Sequence, residues 1–201
     1  MPTLEENVRF LRDFHDIVQL QNLYCHYQWQ ADGPGIASLF ADSDEVEVEI
    51  SASGVYAGAD APTRFFTEYL YTQNHLPGVF GVHEAVNPAI AIDGDRAEAV
   101  WLSHGLHSVI LGDGTLEHVW RYGRYDTVSI RENGRWRLLK LRWHLTMTGH
   151  GTWGEEQSLA ISHRGPNPDR PAPDRPTTFH SPYRPDQRID TSPRPPLQKE
   201  S

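Results

Sequence analysis

Hydrophobic residues in the first third of the chain recur at helical spacing. A capping-box pattern, Thr3 with Glu6, precedes apolar residues three positions apart at Val8, Leu11 and Phe14. A second start signal, Asp16 with Gln19, precedes a longer apolar series: Ile17, Leu20, Leu23, Tyr24, Tyr27 and Ala31. The pattern predicts two helices. The second is expected to end at the Asp-Gly-Pro-Gly cluster of residues 32–35, because proline cannot continue a helix.

The following region predicts a strand between two helical segments. After a short helical piece at residues 36–40, apolar and acidic residues alternate over residues 46–50 (Val-Glu-Val-Glu-Ile). This alternation predicts a strand with one face in water. Beyond a turn region around Gly54 and Gly58, Asp60 is a candidate cap for a third helix that runs through Asn74.

From residue 79 onwards the hydrophobic pattern has the two-residue period of strands. Three turn signals, at residues 93–95, 112–114 and 133–134, separate four stretches at about 79–92, 97–111, 116–131 and 136–147. Helices followed by an antiparallel meander predict an α+β layer fold.

The C-terminal region differs in composition from the rest. Ten of the fifteen prolines lie between residues 163 and 201, among few apolar residues, so this region cannot form a core of its own. We therefore predict one domain over residues 1–150 and a Pro-rich extension over residues 151–201. The extension is either disordered or extended over its own domain or a neighbouring subunit, with Phe179 and Tyr183 as its best anchors.

Composition limits the partners of the protein. With 201 residues, 38% of them hydrophobic, the chain can bury one core. The net charge of -9 and the lack of a basic run argue against nucleic acid, and the lack of a long apolar segment argues against a membrane. The acidic start is unlike a signal peptide. Cys25 is the only cysteine, which excludes an internal disulfide and fits a cytoplasmic location.

Several short motifs occur together in a characteristic order. In the first half they lie at residues 23–32, 39–42 (Leu-Phe-Ala-Asp) and 54–58 (Gly-Val-Tyr-Ala-Gly). In the second half they lie at residues 93–97, 123–126 (Gly-Arg-Tyr-Asp) and 134–138. Together they resemble the SnoaL-like group of the nuclear transport factor-like superfamily over about residues 4–145. The resemblance implies a cone-shaped barrel, in which N-terminal helices pack in the concave face of a strongly curved, mainly antiparallel sheet.

The resemblance also implies a set of site residues. Asp32, His83 and His107 match, in order and approximate spacing, the Asp, His and His of the scytalone dehydratase branch. Two positions depart from that pattern, since Ala31 replaces a tyrosine and Tyr125 replaces an asparagine. The implied activity is a lyase without cofactor or metal that removes water, shifts a double bond or cleaves a C–C bond by a retro-aldol step. A formaldehyde lyase acting on aryl propanediols is one member of this set.

Strand parity refines this set of residues. Residues 97–107 of odd number share one face, so His107 is expected to point to the helices and His104 to the outer side. Arg121 and Tyr125 share the inner face of the next strand. An Asp beside an imidazole fixes its tautomer and stabilises the imidazolium. We expect His107, oriented by Asp32, to be the general base and His83 the acid. Tyr125 or Tyr27 would assist.

Aromatic residues are the candidates for substrate binding. Tyr24, Tyr27, Trp29 and Trp101 suit a small hydrophobic or aromatic molecule, and Arg121 is expected to bind substrate beside them. Each also has an ordinary structural interpretation: Asp32 as a helix-end residue, the histidines as hydrogen-bonded strand residues, and the aromatics as core. No metal is expected, because His104 and His107 point to opposite faces and neither HExxH nor CxxC occurs.

Two other functions stay open at this stage. The fold also serves non-catalytic ligand-binding modules, and it serves the structural small subunits of ring-hydroxylating dioxygenases. An apolar outer face of the sheet favours a homodimer or homotrimer, because an exposed apolar patch is a liability in a monomer.

Overall fold

The protein is described by a computed structural model that covers residues 2–70, 80–110, 113–114, 116–150 and 171–178. Its helices are α1 (Leu4–Trp29), α2 (Gly33–Ala37) and α3 (Thr63–Leu70), the last of π type. Its strands are β1 (Glu47–Ile50), β2 (Val55–Ala57), β3 (Phe80–Asp93), β4 (Arg96–Ile110), β5 (Leu116–Glu132) and β6 (Arg135–His150). The end of the predicted third helix, beyond Leu70, lies outside the described residues.

Helix α1 is one continuous helix of 26 residues. The predicted capping box is present: Thr3 Oγ1 accepts from the backbone N of Glu6 at 3.2 Å, and Glu6 Oε2 accepts from the backbone N of Thr3 at 2.6 Å. The predicted second start at Asp16 is wrong. Residues 4–29 contain neither glycine nor proline, so nothing interrupts the helix there, and the two apolar series belong to one helix.

A buried ion pair holds the first half of α1 on the sheet. Asp13 Oδ1 accepts from Arg131 Nη2 at 2.7 Å and from Trp136 Nε1 at 3.2 Å, although 118 and 123 residues separate these partners from it. A buried carboxylate needs such donors, because an unpaired charge away from water is costly. Asp13 therefore fixes how α1 lies against β5 and β6.

The six strands form one mixed sheet in the order β2-β1-β6-β5-β4-β3. The pairing of β1 with β6 is parallel, and all other pairings are antiparallel. The predicted α+β class and the three long hairpin connections are confirmed. Within the described residues the sheet is open, with β2 and β3 at its edges, so the predicted barrel does not close.

The two faces of the sheet differ in burial. On β4, Trp101, Ser103 and His107 are buried on the inner face, which α1 covers, whereas Leu102, His104 and Leu106 on the outer face reach solvent. The predicted parity of this strand is confirmed. The inner face therefore carries the candidate chemistry.

Strand β1 does not have the expected wet face. Glu49 is only 1% exposed, because the chain segment 171–178 covers it. The backbone N of Thr178 donates to Glu49 Oε1 at 2.8 Å, and Thr178 Oγ1 donates to Oε2 at 2.6 Å. We call residues 171–178 the strap.

The strap lies extended along β2, at one edge of the sheet. Arg175 forms an antiparallel bridge with Val55, and Asp174 accepts from the backbone N of Ala57 at 2.9 Å. The expectation that the C-terminal region can extend over its own domain is thus met for these eight residues. Phe179 and Tyr183 lie outside the described residues, and the domain boundary at residue 150 stays a prediction.

The opposite edge of the sheet contains an irregularity. The register of β3 with β4 shifts between Val86 and Ala89, where Asn87 has a φ of 52° and Pro88 is exposed. A positive φ is uncommon for residues other than glycine, and it is tolerated best by Asn and Asp. This β-bulge divides β3 and leaves His83 on the part that pairs with the second half of β4.

Candidate functional site

Two histidines meet on the inner face of the sheet. His83 on β3 and His107 on β4 have ring centroids 4.5 Å apart and ring planes at 78°. Tyr125 on β5 is fully buried, and its Oη lies 3.1 Å from His83 Nδ1. Three of the four predicted catalytic residues are therefore brought together.

Glycines make this approach possible. A Cβ atom at Gly105, which pairs directly with His83, would lie 3.2 Å from His107 Nε2, and a Cβ at Gly81 would lie 3.0 Å from His107 Nδ1. The His107 ring therefore lies across two neighbouring glycines and leans towards His83. A side chain at either position would crowd the ring away from this place.

A hydrogen-bond chain runs from His83 into helix α1. Tyr125 Oη donates to Gln28 Oε1 at 3.4 Å, and Gln28 Nε2 donates to Tyr24 Oη at 2.6 Å. A Tyr125 hydroxyl that donates to Gln28 is able to accept from His83 Nδ1. In that arrangement Nε2 of the neutral His83 ring carries the lone pair.

The guanidinium of Arg121 lies beside His107 and favours the opposite tautomer there. Arg121 Nη1 lies 3.5 Å from His107 Nδ1, and a guanidinium has donors only. A hydrogen bond from Arg121 makes Nδ1 of His107 the acceptor and places the proton of the neutral ring on Nε2. With this bond and the bond from His83 to Tyr125 in place, His83 has its lone pair on Nε2 and His107 has its hydrogen on Nε2.

Trp143 on β6 completes the wall of the site. Its ring lies 4.6 Å from the His83 ring at 80°, and a Cβ at Gly123 would lie 3.2 Å from its Nε1. The missing side chain at Gly123 lets the indole cross β5 to reach His83. Sequence analysis missed Trp143, because it lies far from His83 along the chain and only the folding of the sheet brings the two side chains together.

The described contacts of Asp32 are those of a helix cap, and its expected role as partner of His107 stays a prediction. It is the N-cap of α2, and its Oδ1 accepts from the backbone N of Gly35 at 2.8 Å. Among the described residues, no imidazole forms a hydrogen bond or ion pair with its carboxylate. Because α1 ends at Trp29, Asp32 belongs to the turn into α2, and its structural interpretation accounts for its contacts.

Gln28 is the residue of α1 that reaches the histidine site. It is buried and lies on the same face of the helix as Ile17, Gln21 and Tyr24. Sequence analysis overlooked it because a neutral amide was not considered as a partner for histidine. A polar residue four positions after Tyr24 on a buried stripe was the available signal.

The predicted substrate-binding residues lie in different environments. Tyr24 is fully buried in edge-to-face contact with Tyr125 at 5.6 Å, and Tyr27 packs partly buried against the core. Trp101 is buried, and its Nε1 donates to Thr127 Oγ1 at 3.2 Å. Trp29, by contrast, is 56% exposed at the end of α1. Arg121 lies beside His107, as described above.

Other reactive groups lie away from this constellation. Burial raises the pKa of the Cys25 thiol to about 12, against a smaller opposing effect of a hydrogen bond from Gln21. On the outer face, His104 Nε2 lies 2.8 Å from Glu84 Oε2, and its ring stacks on Tyr122. Among the residues that the structure describes, no three His, Cys, Asp or Glu side chains are grouped so as to hold a metal ion.

Comparison with solved structures identifies the class of fold. A proposed scytalone dehydratase from Novosphingobium aromaticivorans is 17% identical, with a TM-score of 0.59, over 74% of this chain and 92% of that chain. A hexachlorocyclohexane dehydrochlorinase, LinA-type3 from Novosphingobium barchaimii, is 14% identical, with a TM-score of 0.62, over 76% and 99%. A protein of the nuclear transport factor 2-like superfamily from Salmonella enterica is 21% identical, with a TM-score of 0.53, over 71% and 95%.

The fold is therefore that of the nuclear transport factor 2-like superfamily. The chain belongs to the SnoaL-like domain family, whose model matches residues 9–142. A comparison with curated proteins found no significant match. Among the described helices, none has both the length and the apolar character that crossing a bilayer requires.

Proposed function

We propose that the protein is a lyase that works by acid/base catalysis, without an organic cofactor or metal, on a small hydrophobic and aromatic molecule. The observation that carries this proposal is the perpendicular pair His83 and His107, with ring centroids 4.5 Å apart on the inner face of the sheet. Paired titratable groups with different environments are typical of acid/base sites. The aromatic wall of Tyr24, Tyr125 and Trp143 suits an aromatic substrate.

His83 is the proposed base and His107 the proposed acid. Nε2 of His83 takes a proton from substrate carbon, while Nδ1 stays hydrogen-bonded to Tyr125 in both protonation states. His107 donates the proton on Nε2 to the departing oxygen, so the C–H and C–O bonds break, a C=C bond forms and water leaves. These roles exchange the assignment made from the sequence, because the proposal takes the tautomers that hydrogen bonds from Tyr125 to Gln28 and from Arg121 to His107 would favour. Asp32 has no proton-transfer role in this proposal.

Elimination is the reaction that we favour within this class. Two proteins with the same fold carry the names dehydratase and dehydrochlorinase, and both names denote eliminations. A double-bond shift or a retro-aldol cleavage, such as release of formaldehyde from an aryl propanediol, uses the same base and acid. These reactions would differ in which substrate atom gives its proton to His83.

The test is a substitution of His83 with a matched control on the other face. On a substrate found by screening aryl alcohols and diols, we expect His83→Ala to lower kcat by about 10²–10⁴-fold, the usual contribution of a general base. His104→Gln should keep full activity, since His104 lies on the outer face. Ligand binding without any turnover in the unmodified protein would instead indicate a non-catalytic binding module.

Assembly and location stay predictions. A homodimer or homotrimer is supported by apolar residues exposed on the outer face or near it, namely Leu102, Leu106, Trp120 and Tyr122. A cytoplasmic location rests on the single cysteine alone.

A further inference from the structure

Two buried hydrogen-bond donors lie beside the histidine pair. Trp143 is 3% exposed and Ser103 is 1% exposed. Within the described part of the chain, neither Trp143 Nε1 nor Ser103 Oγ has a hydrogen-bond partner. A buried donor that loses water without gaining a partner destabilises the fold.

The other buried indoles of the sheet make a useful contrast. Trp101 Nε1 donates to Thr127 Oγ1, and Trp136 Nε1 donates to Asp13 Oδ1, both at 3.2 Å. The fold therefore supplies partners for the indole N–H groups that serve structure. Among the described residues, the indole N–H of Trp143, whose ring contacts His83, has no such partner.

The two donors both lie next to Gly123. Ser103 pairs directly with Gly123 across β4 and β5, and Trp143 Nε1 lies over Gly123 from the other side. Since Gly123 has no side chain, the indole of Trp143 can come this close to β5. The His83 ring lies 4.6 Å from the indole ring.

We propose that Trp143 Nε1 and Ser103 Oγ bind a neutral oxygen of the substrate, a carbonyl or hydroxyl group, next to the carbon that His83 deprotonates. An indole N–H can only donate, so the atom that it binds must be an acceptor. Two uncharged donors suit a neutral oxygen and the partial charge that it gains as the C–H bond breaks. This inference rests on the proposed function, and it assigns an aryl ketone or aryl carbinol as the class of substrate.

The binding test uses acetophenone, with ethylbenzene as the matched probe that lacks the oxygen. In ¹⁵N-labelled protein we expect acetophenone to shift the indole N–H signal of Trp143, assigned with Trp143→Phe. The signals of Trp101 and Trp136 should stay in place, since both are already bonded. Ethylbenzene should leave the Trp143 signal nearly unchanged. If acetophenone also leaves the Trp143 signal unchanged, the proposal is wrong.

Affinity provides a second measurement. We expect Trp143→Phe and Ser103→Ala each to weaken acetophenone binding by about fivefold to tenfold, the usual value of one hydrogen bond, with ethylbenzene affected less than about twofold. Ser129→Ala is the control, since Ser129 is a buried serine on the same face, away from His83. Equal weakening of both probes in Ser103→Ala would contradict a role in binding oxygen.

Proton transfer is measured separately. In D₂O we expect the protein to speed deuterium exchange at the acetophenone methyl group, and His83→Ala to remove this effect. If exchange persists in His83→Ala while the Trp143 signal still moves, the proposed base is wrong and the donor pair stands. If exchange depends on His83 but Trp143 and Ser103 variants bind both probes normally, the donor pair is wrong and the proposed function stands.

Discussion

The strap region and the histidine site bury polar groups in opposite ways. In the strap region the main contacts join a charged group to a partner in the chain: Glu49 to Thr178, Asp174 to Arg64, and Glu47 to Arg175. At the histidine site the groups behind His83 are neutral, and Trp143 Nε1 and Ser103 Oγ are left for a partner from outside the described chain.

This difference distinguishes buried polar groups that stabilise the fold from those that bind a ligand. Buried charges that serve the fold are compensated within the chain, because an uncompensated one would destabilise it. A site that receives a ligand can keep neutral donors that the fold does not use. Trp143 Nε1 and Ser103 Oγ, which lack a partner among the described residues and lie close to His83, are therefore the donors that we assign to a ligand.

The largest effect is expected where a glycine supports the histidine site. Gly105→Ala would bring a Cβ atom to 2.1 Å from the backbone O of Val82, so the strands would have to separate. We expect a loss of about 3 kcal/mol or more of unfolding free energy in urea titration, as for other severe core clashes. Gly149→Ala is the control, since no described residue lies within 4 Å of its Cβ, and it should change stability by less than about 0.5 kcal/mol. Similar losses of stability in both variants would contradict the claim that the histidine site depends on a glycine at position 105.

The next effect tests the charged character of the strap region. Thr178→Val removes a donor to the buried Glu49 carboxylate, and we expect a loss of about 1.5–3 kcal/mol, as for hydrogen bonds to charged groups. Thr177→Val removes the acceptor for the backbone N of Gly54, a bond between neutral groups worth about 1 kcal/mol. Chemical denaturation of both variants measures the difference. A larger loss in Thr177→Val would contradict the importance of Glu49.

A third prediction asks whether neutrality at the histidine site matters. Gln28→Glu would add a charge behind Tyr125, where it favours the protonated form of His83. We expect the acid limb of the pH–rate profile to move up by about one pH unit, because a nearby carboxylate stabilises an imidazolium. Gln28→Leu should lower kcat without this upward shift, since it removes the bond and adds no charge. An unchanged profile in Gln28→Glu would show that Tyr125 isolates His83 from helix α1.

The smallest expected effect is a loss of stability in the strap region at acidic pH. Desolvation raises the pKa of Glu47, but hydrogen bonds from Lys140, Arg175 and Arg142 outweigh it and the pKa falls below its usual value. The backbone N of Ala57 and the guanidinium of Arg64 hold the pKa of Asp174 low as well.

In the unfolded chain both carboxyls have a pKa of about 4. Because the folded-state pKa values are lower, these groups stabilise the fold at pH values above about 4. This contribution is lost as the pH falls through the folded-state pKa values. We therefore expect Tm to fall modestly below about pH 4. In Glu47→Gln with Asp174→Asn this part of the decline should be absent. A decline of the same size in the double variant would place the acid-sensitive groups elsewhere.

Local patterns in the sequence predict much of this structure. The turn signals at residues 93–95 and 133–134 predict the long hairpins, and parity places His107 inside and His104 outside, because both depend only on neighbouring residues. The errors at Glu49 and at Gln28 have another origin. Glu49 is buried by Thr178, 129 residues away, and Gln28 meets Tyr125 97 residues away. Such contacts follow from the packing of the whole chain, and no local spacing encodes them.

The edges of the sheet have a consequence for solution behaviour. Unpaired edge strands are the usual starting points for fibrils, since they can recruit the backbone of another molecule. Here Arg175 bridges to Val55 on β2, and the opposite edge is interrupted at Pro88, which cannot donate a hydrogen bond. Both edge strands are thus less able to pair with another molecule: the strap covers β2, and a β-bulge interrupts β3.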